Sequence, residues 1–250
     1  MPDCLPGCDV DVLVVAMSIR KPTVQRVDSL GRLHDEVCDC RRCPRLVDWR
    51  EHMAVERRAA YRDQTYWGRG VPGFGDPRAR ILVLGLAPAA HGANRTGRVF
   101  TGDRSGDWLF RAMHRAGLAN QAESVARDDG LRLRDAWVTA AVKCAPPDNK
   151  PLPAERDLCR PFLEREIALL TRLRVVVCLG GFAHEAACSF WGVTPRSRFG
   201  HGVETVAPSG VVLLDSYHPS QQNTFTGRLT EPMLDDVFTR AAALARTRRR

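Results

Sequence analysis

Cys40 and Cys43 stand two residues apart, Cys144 follows far down the chain, and fourteen residues intervene before Cys159. Two intervening residues let both sulfurs face one centre, and four thiolates can ligate zinc or an iron–sulfur cluster. Spacing alone leaves the choice of metal open, and Cys38, in Cys38-x-Cys40, competes for the same role. Arg41, Arg42 and Pro44 make the surroundings of Cys40 and Cys43 too polar for simple core packing. Cys178 lies in an apolar run and Cys188 on a helical stretch, so both read as small core hydrophobes. Cys4 and Cys8 read as free thiols. The total of nine cysteines is odd, which excludes complete pairing within one chain. Reduced cysteines and a cytoplasmic protein are the expectation.

The elements that must bring these sulfurs together follow from hydrophobic periodicity. Residues 80–86, 136–142, 174–180 and 210–215 are apolar runs of strand length. Helical spacing appears over 24–37, over 109–116, and again over 153–173, 181–191 and 229–248, while 61–79, rich in glycine, proline and aromatics, reads as an irregular loop. Strands alternating with helices imply a parallel sheet covered by helices on both faces. Residues 1–22, with Pro2, Pro6, Gly7 and Pro22, read as a flexible extension, and 23–250 as one domain. In open α/β sheets a ligand lies beyond the carboxyl ends of the strands. Those ends lead here into Gly85-Leu-Ala-Pro-Ala-Ala-His91, Lys143-Cys-Ala-Pro-Pro-Asp-Asn-Lys150 and Tyr217-His-Pro-Ser220. Three polar, proline-punctuated segments are thereby expected on one rim.

Composition narrows the function classes. The 250 residues carry a formal charge of +8, and 44% hydrophobic with 26% charged side chains describe a globular chain, neither disordered nor fibrous. The longest apolar stretches, 12–17 and 81–90, fall short of the roughly 18–20 residues of a membrane span. Asp9 and Asp11, with no basic residue before Arg20, give the wrong charge order for a secretory signal. The basic surplus favours a polyanionic partner. Arg246, Arg248, Arg249 and Arg250 fit either a solvated helix end or a phosphate contact.

Two long segments carry a family resemblance: Gly85-Leu-Ala-Pro-Ala-Ala-His-Gly-Ala-Asn-Arg-Thr-Gly-Arg-Val-Phe-Thr-Gly-Asp103 and His218-Pro-Ser-Gln-Gln-Asn-Thr-Phe-Thr-Gly-Arg-Leu-Thr230. Together they resemble the family-5 (b-type) uracil-DNA glycosylases, and the set Cys40, Cys43, Cys144 and Cys159 is similar to the cluster ligands of families 4 and 5. The resemblance covers roughly residues 38–240. It implies a three-layer α/β/α sandwich on a mostly parallel, four-stranded sheet. It also implies a largely structural [4Fe-4S] cluster and removal of uracil and other deaminated bases from DNA, with a monomer expected.

Carried onto this chain, the resemblance gives His218 as donor to the leaving base, and Asp103 as the group that positions water or stabilises a cationic sugar. Phe100 would stack on the everted base, with Gly85, Ala87, Asn149 and Asn223 as further substrate contacts. Asn94, Arg95, Arg98 and Arg228 would meet DNA, where phosphate contacts give affinity but not base choice. Asp103 could instead simply cap the helix that follows, and the asparagines could be turn residues. Two positions depart from the best-known uracil glycosylases: Ala87 stands where a water-activating aspartate is expected, and Ala140 where a base-reading asparagine is expected. Both alanines fit the b-type group and a less exclusive pocket. They also leave room for two other readings, a damage-binding module without turnover and a zinc-stabilised nucleic-acid binder.

Overall fold

The computed structural model describes residues 28–247. The expected extension over 1–22, the start of the predicted 24–37 helix, Cys4, Cys8 and the last three arginines lie outside the described residues. Six strands form one sheet: β1 (Phe74–Gly75), β2 (Ile81–Gly85), β3 (Ala136–Ala140), β4 (Val175–Leu179), β5 (Glu204–Val206) and β6 (Val212–Ser216). Their order is β1-β3-β2-β4-β6-β5; the four central strands are parallel and the two edges antiparallel. The expected sandwich and parallel core are therefore present, but the sheet has six strands rather than four. β1 escapes hydrophobic patterning because it is two residues long among glycines, and β5 because it is three residues long and half exposed.

Among the described residues, eight α-helices accompany the sheet: α1 (Leu30–Cys38), α2 (Pro44–Glu56), α3 (Ala93–Thr96), α4 (Arg104–Arg115), α5 (Pro153–Leu169), α6 (Gly181–Phe190), α7 (Gln221–Phe225) and α8 (Glu231–Arg246). Side chains alternate across each strand, so the parallel core is apolar on both faces. Ile81, Val83, Val175 and Val177 meet Leu109 and Phe110 of α4 and Val237 and Phe238 of α8. Leu82, Leu84, Val176 and Cys178 meet Leu163 and Ile167 of α5 and Ala183 and Ala187 of α6. Each such aliphatic side chain withdrawn from water contributes about 1.5–3 kcal/mol. Leu33 and Val37 of α1 pack with Phe162 and Cys159 of α5, fixing the chain between α1 and α2 beside the sheet. No helix among the described residues is long and apolar enough to cross a membrane.

One buried polar knot ties α5 to β3. The carboxylate of Glu166 accepts from Trp137 Nε1 at 3.0 Å, Thr139 Oγ1 at 2.8 Å and Lys143 Nζ at 2.6 Å. Both charged side chains are almost fully buried. Such a pair contributes little net, yet breaking it strands a charge in apolar surroundings. Glu166→Ala is therefore expected to lower stability by about 3–5 kcal/mol, read as a lower urea midpoint at unchanged slope. The double change Lys143→Met with Glu166→Gln, which removes both charges and leaves Trp137 and Thr139 an amide partner, should be less destabilising than Glu166→Ala; an equal loss would mean that the stranded charge is not what matters.

Candidate active site

Beyond the carboxyl ends of the parallel strands lies a cleft of about 730 Å³, walled by 86–92, by Phe100 and 102–105, by Asn149 and by His218 with 220–222. The three segments expected on one rim do meet there. Phe100 and His218 face each other with ring centroids 5.8 Å apart and planes tilted by 35°. Phe100 holds this place at φ +53°, a left-handed conformation that costs a bulky residue on the order of 1–3 kcal/mol. Gly85 lies beneath the ring rather than in the wall, and a Cβ there would come within 2.8 Å of the ring carbons. Ala140, its register partner on β3, is fully buried.

His218 leaves β6 on a braced turn. Asn223 Nδ2 donates to its carbonyl at 2.8 Å, and Ser220 caps α7 just behind it. Asn223 is thus committed to holding His218, not to the cleft wall, which corrects its expected role as a substrate contact. The ring of His218 has no hydrogen-bond partner among the described residues. Burial pushes its pKa down to about 4, so the imidazole is neutral at ordinary pH and keeps one N–H to donate.

Asp103 caps α4 and also lines the cleft. Its Oδ1 accepts from Gly106 N at 3.0 Å as the cap of α4. Its Oδ2 lies against Gly92, where a Cβ would collide with it, at the cleft wall. Burial raises its pKa, while amide hydrogen bonds from Gly106 and Ser105 and the charge of Arg95 oppose the shift and nearby Asp107 adds to it. Asn149 stands exposed at the opposite lip in a turn where it and Asp148 both have positive φ. Ala87 lines the floor and brings no functional group.

The expected DNA contacts separate into two groups. Asn94 is 0% exposed and donates to Arg50 O at 3.0 Å. Arg95 is buried, binding the carbonyls of His91 and Gly102 and the Gln64 side chain. Arg98 is buried too, bonded to Thr101, Ser124, Asp129 and the carbonyl of Arg127. The expectation that these three meet phosphate is corrected: they cross-brace the loop that carries Phe100. Arg228 does stand exposed, its guanidinium 4.6 Å over the Tyr217 ring. The sequence reading passed over Arg58, Tyr61, His91 and Arg104, all of which line the cleft. Tyr61 lies beneath the Arg95 guanidinium at 4.0 Å, and His91 Nδ1 lies 3.1 Å from Tyr66 Oη. Only their aromatic and basic types could have flagged them, since a loop gives no periodicity.

Cys40 after α1, Cys43 capping α2, Cys144 beyond β3 and Cys159 on α5 line one small second cavity, together with Leu46, Val142 and Phe162. Cys38 does not line it and is buried, as are Cys178 and Cys188 in the core. The donor set is all sulfur, with no carboxylate in that lining. Burial pushes Cys144 up to about 11 and Cys159 up to about 12. Among the described residues, no group of three or more His, Cys, Asp or Glu is spaced to hold a single metal ion. Four cysteine sulfurs around one cavity are the donor type that an iron–sulfur cluster takes.

Comparison with known proteins agrees with this geometry. The model of the uracil DNA glycosylase superfamily matches residues 72–242. The chain is 58% identical over 220 residues to a type-5 uracil-DNA glycosylase of Mycobacterium tuberculosis, covering 87% of this chain and 82% of that protein. It is 53% identical over 207 residues to a type-5 enzyme of Thermus thermophilus, covering 82% and 94%. A type-4 uracil-DNA glycosylase of Archaeoglobus fulgidus is 28% identical over 199 residues, covering 78% and 83%.

The neutral His218 has a measurable consequence. Its folded pKa lies below the ordinary value of about 6.5, so the unfolded chain takes up the proton first. Its contribution to stability is therefore complete above about pH 6.5 and lost as pH falls toward about 4. NMR titration of the His218 ring should give an inflection near 4, and His218→Ala should flatten that part of the stability profile. An inflection near 6.5 would contradict the assignment.

Proposed function

The chain belongs to the uracil DNA glycosylase superfamily, and from that premise we propose that it is a DNA repair glycosylase that excises uracil and related deaminated bases. The reaction hydrolyses the N-glycosidic bond and leaves an abasic site. The observation that carries this reading is that Phe100, Asp103 and His218 share one cleft.

A glycosidic bond inside a duplex is out of reach, so the nucleotide is turned out of the stack at a cost of a few kcal/mol. Stacking on Phe100 offsets this by about 1–3 kcal/mol. Bond breaking leaves negative charge on the base carbonyl and cationic character on the sugar. A neutral His218 N–H aimed at that oxygen stabilises the first without a proton transfer, and does so most where water is excluded. The Oδ2 of Asp103 faces the second, or holds the attacking water. Asn149 supplies an amide at the lip that can read the edge of the base. Ala87 leaves the cleft lining there without a discriminating polar group, which suits a broad choice of base. Arg58, Arg104 and Arg228 are the exposed cations that take over the phosphate contacts. Phe225, 65% exposed on α7 with Arg104 4.3 Å over its ring, is the apolar side chain suited to fill the gap left by an everted base.

Cys40, Cys43, Cys144 and Cys159 are the residues that would hold a [4Fe-4S] cluster. Such a cluster supplies a covalent tie among segments that are distant in sequence, and its binding is coupled to folding. All seven described cysteines are outside disulfides, as thiols in a reducing setting are.

The test is incubation with a uracil-containing duplex followed by alkali. Strand nicking is expected for the natural chain, with about 10²–10³-fold less for His218→Ala and about 10²–10⁴-fold less for Asp103→Asn. Nicking no greater than that of the His218→Ala control would overturn the proposal, and tight binding without uracil release would favour the damage-binding module instead.

A further inference from the structure

α2 carries Arg50 into the interior, where it is 2% exposed. Its Nη1 donates to Cys144 Sγ at 3.0 Å and its Nη2 to the Cys40 carbonyl at 3.0 Å. Among the described residues, its Nε has no hydrogen-bond partner. The Glu51 carboxylate reaches only to 4.0 Å, is itself half exposed, and is already paired with Arg41. Two other buried cations have a close carboxylate, Lys143 with Glu166 at 2.6 Å and Arg98 with Asp129 at 2.6 Å. Arg95, which has none among the described residues, commits its guanidinium to two carbonyls and the Gln64 side chain. Arg50 alone among these keeps a buried N–H unpaired. Arginine does not shed its proton in a protein interior, and a buried charge without a counter-charge is strongly unfavourable. Negative charge belonging at Arg50 therefore has to come from the sulfur side.

The same residue reaches the cleft. Its carbonyl accepts from Asn94 of α3, and the neighbouring Arg95 binds the carbonyls of His91 and Gly102, which flank Gly92 and Asp103. We propose that Arg50 is a positioning residue that supplies the buried counter-charge of the cysteine centre and thereby holds α2 against the cleft loop. This rests on the four-thiolate centre proposed above.

Removing a positive charge beside the thiolates makes the cluster harder to reduce, because net charge and hydrogen bonds to sulfur set its potential. Loss of such an outer contact also costs about 10–100-fold in retention of the metal. The experiment compares iron-loaded, full-length natural protein with Arg50→Met and Arg50→Lys. The readouts are iron per chain, midpoint potential by voltammetry and the rate of iron loss to a chelator. Arg50→Met is expected to show a more negative midpoint and at least about 10-fold faster iron loss, while Arg50→Lys, which keeps the charge, stays near the natural potential. An unchanged midpoint and unchanged iron loss in Arg50→Met overturn the proposal. Should Arg50→Met not fold, Arg50→Lys decides: natural potential supports it, and iron lost where the natural protein retains it contradicts it. Iron-free natural protein would overturn the cluster reading underneath, and Arg50's role with it.

Discussion

A Cβ on residue 85 would lie 2.8 Å from the Phe100 ring, so the aromatic can lean over the end of β2 toward His218 only because that position is glycine. The same economy of side chains recurs around the cleft. A Cβ at Gly92 would drive into the Asp103 carboxylate, and one at Gly106 into the Phe100 carbonyl. Three missing side chains thus set two residues of the cleft, Phe100 and Asp103. Phe100 completes the arrangement from a positive φ that the bracing by Arg95 and Arg98 maintains. Strain of this kind persists only where surrounding contacts over-determine it.

Two buried cations are managed by pairing, and the cleft presents others to solvent. Lys143 with Glu166 and Arg98 with Asp129 are buried pairs with near-neutral sums, each with further hydrogen bonds. The cations left exposed at the cleft, Arg58 and Arg104, stand where a polyanion would run. The neutral His218 fits the same logic, since an uncharged imidazole avoids the desolvation of a buried imidazolium.

Much of the scaffold was legible because a parallel sheet buried on both faces leaves continuous apolar runs. The strands 81–85, 136–140, 175–179 and 212–216 are those runs, trimmed by a residue or two. α2 was not anticipated, since its apolar residues follow no single buried face: its buried side chains are Leu46, Val47 and the charged Arg50. The cap at Asp103, which the sequence offered as the alternative to a catalytic role, is present, because an aspartate ahead of Ser105 and Gly106 has a local signature. Arg95 and Arg98 were misread because an arginine looks the same in sequence whether it faces solvent or a ring of carbonyls. Only the fold of 92–103 back on itself decides that, and no local pattern encodes it. The convergence of the four cysteines depends likewise on α1 docking against α5, a contact far apart in the chain.

The central claim is that the cleft works because Phe100 and His218 can close on a base at a fixed separation. The most direct measurement is the single-turnover rate of uracil release from a duplex by a folded Gly85→Ala variant. A displaced ring predicts a fall of at least about 10-fold, with the melting temperature little changed. Release at the natural rate would contradict the account, because the added methyl group must push Phe100 out of the position on which it relies.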